Sequence, residues 1–276
     1  MTPKTEKNIL GNSVETVKDL SEHASPNFRG SITFNPELIN DRYEALLESC
    51  PTNALAKVRE NERTIISVDH GKCIACGYCK DVEPKLVKIQ SKSALPVKTK
   101  TNLVEYSNPQ PVMQSGKPYE EIGNELSEKI KKLFGRSLAI REVDAGSCNG
   151  CEIEITALNN PIYDIERFGI HFVASPRHAD ILLVTGPASR NMEIALLRTY
   201  EATPTPKIVI AVGACACSGG IFGDTYATTG GIDKVVPVDV YIPGCPPRPE
   251  VLLQGLLLAV NRLKPEQIAK SKQELN

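Results

Sequence analysis

Neither sign of charge is in excess: 32 Lys and Arg stand against 33 Asp and Glu, a formal net charge of -1. No global field would hold such a chain on nucleic acid or on an anionic membrane. Long hydrophobic runs are missing as well. The most apolar stretch, "VLLQGLLLAV" at 251–260, is interrupted by Gln254 and Gly255 and falls short of the roughly 20 residues that span a bilayer. The N-terminus, "MTPKTEKNILGNSVETVKDL", has no basic start followed by an apolar core and no twin arginine. No export signal is visible, so the chain is expected in the cytoplasm. Disulfides are rare there.

Nine cysteines are present: Cys50, Cys73, Cys76, Cys79, Cys148, Cys151, Cys215, Cys217 and Cys245. In a reducing compartment their grouping argues for metal or redox chemistry over structural crosslinks. At 276 residues the chain has room for one sizeable domain and a smaller one. Residues 1–30 carry mixed charge and little periodicity and read as a lead-in. Residues 31–90 form a small unit. Residues 91–117, rich in Ser, Pro, Lys and Asn, read as a linker, its lysines being those of a solvated tether or of a docking patch. A second domain is expected over 118–263, followed by a polar tail at 264–276.

The small unit contains "CIACGYCKDVEP" at 73–84. This resembles the bacterial ferredoxin run C-x2-C-x2-C-x3-C-P, except that Glu83 stands where the last cysteine belongs. A weak repeat resolves the gap. "ITFNPE" (32–37) matches "ISVDHG" (66–71), and "CPTNALAKV" (50–58) matches "EPKLVKI" (83–89), at offsets of 34 and 33 residues. In two-cluster ferredoxins each run gives three ligands to one cluster and its fourth to the other. Cys73, Cys76 and Cys79 therefore belong with Cys50, which precedes Pro51. The other cluster would need Glu83 to be cysteine and three more cysteines near Asn40, Tyr43 and Leu46, and residues 1–49 have none. The unit resembles a bacterial-type ferredoxin of α+β class stripped to one [4Fe-4S] cluster, with zinc the alternative occupant. The complete set of four argues against a three-iron cluster.

From Tyr119 to Phe134, Ile122, Leu126, Ile130 and Leu133 follow helical spacing and predict an amphipathic helix. Strands are predicted at 137–143, 179–186, 207–213 and 238–244, with helices at about 152–160, 190–202 and 249–263. Near-continuous apolar strands separated by helices predict an α/β domain, a parallel sheet covered on both faces. Cys148 and Cys151 follow the first strand in "DAGSCNGC", Cys215 the third, and Cys245 the fourth in "VYIPGCPP". Ligands gather outside the carboxyl ends of such strands, so four thiols from three loops should meet at one edge. Gly146, Gly150, Gly213 and Gly244 allow tight loops there and leave backbone N–H groups near sulfur.

Four thiolates suit [4Fe-4S] or zinc, though single cysteines on separate loops are less like a structural zinc site. A thioredoxin-like dithiol at "CNGC" would explain neither Cys215 nor Cys245. "GGIFGD" has neither a Lys-Ser/Thr pair nor a G-x-G-x-x-G turn, so a nucleotide site is poorly supported.

"GSCNGCEIEI", "ERFGIHFVASPRHADILLVTGPASRNM", "VGACACSGGIFGD" and "PVDVYIPGCPPRPE" resemble the small subunit of membrane-associated energy-converting [NiFe] hydrogenases of the formate hydrogenlyase type. The homologous 20 kDa subunit of respiratory complex I is more distant. The resemblance covers about 138–263. It implies a flavodoxin-like open parallel sheet and one [4Fe-4S] cluster on Cys148, Cys151, Cys215 and Cys245, beside the active site of a [NiFe] large subunit. With the ferredoxin-like unit, two [4Fe-4S] clusters are expected. The chain would relay electrons in an oxidoreductase whose chemistry lies in its partner. Complex I subunits have adjacent cysteines in place of "CNGC", so the spacing favours a hydrogenase partner; the alternative is the equivalent subunit of a complex I-like oxidoreductase lacking nickel. Expected partners are that large subunit, further iron–sulfur or ferredoxin carriers, and membrane subunits that would hold the complex on the cytoplasmic face. Cys217 has no ligand role in the pattern. Glu152, just after Cys151, either assists proton movement towards the large subunit or is an ordinary acid at a helix start.

Overall fold

The computed structural model describes residues 27–35, 38, 43–60, 63–107 and 118–263. Most of the expected lead-in (1–26), the end of the expected linker (108–117) and the polar tail (264–276) lie outside the described residues.

The first part runs β1 (Ile32–Phe34), α1 (Tyr43–Glu48), β2 (Leu55–Glu60), then β3 (Arg63–Asp69), α2 (Tyr78–Val82), β4 (Val87–Ile89). Strand–helix–strand thus occurs twice, which accounts for the repeat in the sequence. β1 pairs antiparallel with β4, and β2 with β3, so each half lends one strand to each pair. Leu46, Ile66, Leu86 and Val87 are buried between the pairs. Cys50 follows α1 as Glu83 follows α2, the two equivalent positions of the repeat.

The expectation of a linker over 91–117 is corrected for residues 97–106. Val97 exchanges two backbone hydrogen bonds with Tyr241, at 2.9 and 2.8 Å. Lys100–Leu103 forms a 3₁₀ turn, and β5 (Val104–Tyr106) adds a third antiparallel strand to β3. Polar and proline-rich composition suggested a tether, but Leu103 is 2% exposed and packs into the core of the larger sheet. One anchoring leucine decides against a free segment, because its burial contributes about 1.5–3 kcal/mol.

α3 (Tyr119–Phe134) forms where the spacing predicts it, burying Tyr119, Ile122, Leu126, Ile130 and Phe134. Gly135 ends it in the left-handed conformation (φ 66°), its N–H donating to the Lys131 carbonyl at 3.0 Å. The chain then builds β6 (Leu138–Asp144), α4 (Gly150–Ala157), β7 (Ile170–Phe172), β8 (Ile181–Thr185), α5 (Arg190–Ala202), β9 (Ile208–Val212), α6 (Gly213–Ser218), β10 (Val240–Ile242) and α7 (Pro249–Val260). The five strands are all parallel, ordered β7-β6-β8-β9-β10. Counted from β6 this is 2-1-3-4-5, the flavodoxin-like order.

Both faces are covered, and alternation divides each apolar strand between them. Ile181, Leu183, Ile208, Ile210 and Val212 pack with α3, α4 and α7, while Leu182, Val184, Val209 and Ala211 pack with Leu196 of α5 and Ala216 of α6. Two of this domain's strands and α-helices were not predicted. β7 is a three-residue edge strand with one fully buried residue, Ile170, and α6, "GACACS", is too short to show a helical period.

Candidate functional site

Eight of the nine cysteines fall into two sets. In the first, β3 ends at Asp69, whose main-chain carbonyl accepts from the N–H groups of Lys72 and Cys73, both at 3.0 Å, while its carboxylate accepts from Gly71 N–H at 2.9 Å. This turn starts the loop that carries Cys73 and Cys76. Ala75 (φ 53°) and Gly77 (φ 88°) take the left-handed conformation, and α2 then carries Cys79. The Arg29 guanidinium donates to the Cys76 carbonyl. Cys50 joins from the end of α1, where its sulfur accepts the Ala54 N–H at 3.2 Å. Burial pushes the Cys73 thiol up to about 12; Ala75 N–H opposes this, and Cys79, Cys50 and Cys76 add to it. Cys79 is pushed up to about 11 by burial and then by Cys76 and Cys50. Cys50 and Cys76 thus lie near enough to Cys73 and Cys79 for their charge to act on those two thiols.

The second set lies at the carboxyl ends of β6, β9 and β10. After β6, the Asp144 carboxylate accepts from Gly146 N–H (2.8 Å) and Ser147 N–H (2.7 Å), folding the loop that carries Cys148 into the start of α4, with Cys151. Cys215 is on α6, directly after β9, and Cys245 follows β10. A bond from Ala214 N–H to the Gly244 carbonyl, 2.8 Å, joins the last two segments. Burial pushes the Cys151 thiol up, with Glu152, Cys215, Cys245 and Cys148 adding to it. Cys215 is pushed up to about 11 by burial, then by Cys245, Cys148 and Glu152.

The backbone comes close to these sulfurs because glycines permit it. A Cβ on Gly213 (φ 83°) would lie 2.5 Å from Cys151 Sγ, and one on Gly220 (φ 55°) would lie 2.8 Å from Cys215 Sγ. Cys148 and Cys245 are exposed and Cys151 and Cys215 half-buried, so the set opens at the sheet edge. Each set supplies four soft donors, and four clustered thiolates need cationic metal to offset their repulsion. That donor set and the glycine clearance fit an iron–sulfur cluster. Among the described residues, no group of three or more His, Cys, Asp or Glu is placed to hold a single metal ion.

The remaining candidates separate cleanly. Cys217 is fully buried on α6, its S–H directed at the Ile242 carbonyl, 3.7 Å away. Glu152 is in the first turn of α4, and both its oxygens are buried without a hydrogen-bond partner among the described residues. It lines a cavity of about 330 Å³ with Glu142, whose carboxyl burial and then Glu152 hold above the usual range. Glu83 is 8% exposed, and its Oε1 is buried without a hydrogen-bond partner among the described residues. Sequence reasoning missed Asp69, Asp144 and Arg29, which shape the loops that carry the cysteines; "VDHG" and "VDAG", an acid two residues before glycine after a strand, was the available signal for the two aspartates.

Residues 148–259 match the family described as NADH ubiquinone oxidoreductase, 20 Kd subunit. Over 135 residues the chain is 53% identical to the probable membrane-bound hydrogenase subunit mbhJ of Pyrococcus furiosus, covering 49% of this chain and 81% of that one. The chain belongs to this family. It is also 51% identical over 157 residues to formate hydrogenlyase subunit 7 of Escherichia coli, covering 57% of this chain, and it spans 61% of that relative's length. An NADH-quinone oxidoreductase subunit of Desulfovibrio desulfuricans is 48% identical over 136 residues, 49% of this chain and 73% of that one. The family match begins at Cys148 and takes in Cys151, Cys215 and Cys245, while Cys50, Cys73, Cys76 and Cys79 lie upstream of it.

Proposed function

We propose that the chain is the iron–sulfur electron-transfer subunit of a [NiFe] hydrogenase-type complex, holding one [4Fe-4S] cluster on Cys148, Cys151, Cys215 and Cys245 and another on Cys50, Cys73, Cys76 and Cys79. The observation that carries this is that four thiols, all inside the family's stretch, lie close together past the carboxyl ends of parallel strands. When bound, such clusters supply one-electron transfer. The chain's residues hold and tune them. Asp69 and Asp144 fix the loops, Gly213 and Gly220 let backbone approach sulfur, and Ala54 N–H donates to Cys50 Sγ. Hydrogen bonds of that kind raise a cluster's potential by stabilising its reduced, more negative form.

A large subunit seated on the open edge by Cys148 and Cys245 would hold the reacting metal, and further iron–sulfur carriers would exchange electrons through the first set. Among the described residues no helix is long and apolar enough to cross a membrane, so attachment to the cytoplasmic face would come through partner subunits. The second reading, a complex I-like module without nickel, rests on the identity to the quinone oxidoreductase subunit. Purification under anaerobic conditions with native partners tests both. About eight iron and eight sulfide per chain are expected, with a large subunit carrying two C-x2-C pairs. A large subunit without those pairs favours the second reading, and zinc without sulfide overturns both.

A further inference from the structure

The two thiol sets belong to segments that touch. Gly71 lies two residues before Cys73, and Ser218 three residues after Cys215. The Ser218 hydroxyl donates to the Gly71 carbonyl at 2.7 Å, closer than the Ala214 carbonyl of its own helix at 3.1 Å, and it accepts from Gly220 N–H at 3.4 Å. Gly71 is buried here, with room for no more than hydrogen. A Cβ would lie 2.6 Å from Leu103 Cδ1 and 3.4 Å from Cys217 Cβ. The ninth cysteine thus has a place: a small, fully buried side chain under the point where the first ligand loop crosses α6.

Further contacts hold the surroundings still. Lys100 Nζ reaches both carboxylate oxygens of Asp233, at 3.0 and 2.8 Å, and Val97 pairs with Tyr241 at the outer edge of β10. Beside the crossing, a cavity of about 560 Å³ is lined by Cys73 and Cys76 from one set and Cys245 from the other, so the sets face a common space.

We propose that the Gly71–Ser218 contact is the joint that fixes the two thiol sets relative to each other, and that it thereby sets the electronic coupling between the clusters they hold. This rests on the electron-transfer reading above. A path of covalent bonds and one hydrogen bond runs from Cys73 through Lys72 and Gly71, across to Ser218, and back through Cys217 and Ala216 to Cys215. One electron moved between the clusters leaves one oxidised by one and the other reduced by one, with no bond made or broken. Ser218 is a positioning residue in this scheme.

The test uses the full chain with its large subunit, purified anaerobically, reduced with dithionite and compared with Ser218→Ala, Ser218→Thr and Gly71→Ala. Ser218→Ala should keep its iron and sulfide. The magnetic interaction between the two reduced clusters, read by electron paramagnetic resonance, should weaken, and Ser218→Thr should restore it. Amide exchange at His70 and Cys73 should quicken about fivefold in Ser218→Ala, the effect of losing one net hydrogen bond. Gly71→Ala, which wedges the joint open at Leu103, should weaken the interaction too and carries the test if Ser218→Ala does not fold. Full iron with unchanged interaction in the variants overturns the proposal. If the purified chain holds zinc and no sulfide, the electron-transfer reading fails separately. Exchange then decides the joint: faster in Ser218→Ala supports it, unchanged overturns it.

Discussion

Replacing Gly213 by alanine should empty one thiol set and spare the other. Gly213 has φ 83° and sits at the start of α6, where an added Cβ would lie 2.5 Å from Cys151 Sγ. Ordinary nonbonded contact begins at about 3.5 Å, so the sulfur would have to retreat by roughly 1 Å, twice the tolerance of about 0.5 Å for a preorganised site. Alanine in the left-handed conformation also costs about 1–2 kcal/mol. Gly135 separates the two effects, since it has φ 66° but nothing within 4 Å of an added Cβ. Gly135→Ala should therefore lower the apparent Tm by about 2–8 °C and keep all of its metal. Gly213→Ala should lose about half of the iron and sulfide, falling from about eight of each to about four. The assay is iron and acid-labile sulfide per chain after anaerobic purification. A Gly213→Ala chain with full iron, or a Gly135→Ala chain that loses as much, would refute the reasoning.

Cys50→Ala should remove the upstream cluster while Glu83→Ala leaves iron content unchanged; the reverse pattern would show that the cross-repeat assignment is wrong. Gly123→Ala should destabilise by about 1–3 kcal/mol through overpacking, because its Cβ would lie 2.2 Å from Cζ of the buried Phe168 ring; a thermal scan showing no change in Tm would contradict the packing of α3. The Tyr119 hydroxyl is buried without a hydrogen-bond partner among the described residues, and burial pushes its phenol well above the usual value. The folded chain keeps this proton where the unfolded chain releases it, so the contribution is fully present below about pH 10 and is lost as pH rises further, by up to about 1.4 kcal/mol per pH unit. Tyr119→Phe should flatten that alkaline decline; equal urea midpoints for both chains across pH 9 to 11 would argue against it.

Much of the larger domain was legible because its signals are local. β8 and β9 are unbroken runs of Val, Ile and Leu, and α3 repeats its apolar residues at helical spacing, so composition and period alone mark them. The cysteines stood out for a related reason: eight of them follow such a strand or fall in a ferredoxin-like spacing. β7 and α6 were not, since three and six residues carry too little periodicity to register. The segment 97–106 was misread because its anchors, Val97 and Leu103, are separated by polar residues and find their partners in Tyr241 and the larger core.

By itself the amino-acid order determined the parallel sheet, the internal repeat and the grouping of the cysteines along the chain, because strand periodicity and cysteine spacing are properties of neighbours in sequence. Tertiary structure decided how the sets meet. Ser218 and Gly71 are 147 residues apart, and nothing near either one announces the other; Leu103 and Cys217, which share one buried cluster, pack against Gly71 where the Cys73 loop meets α6. Close packing makes a few small residues decisive there, and small residues carry almost no signal in a sequence.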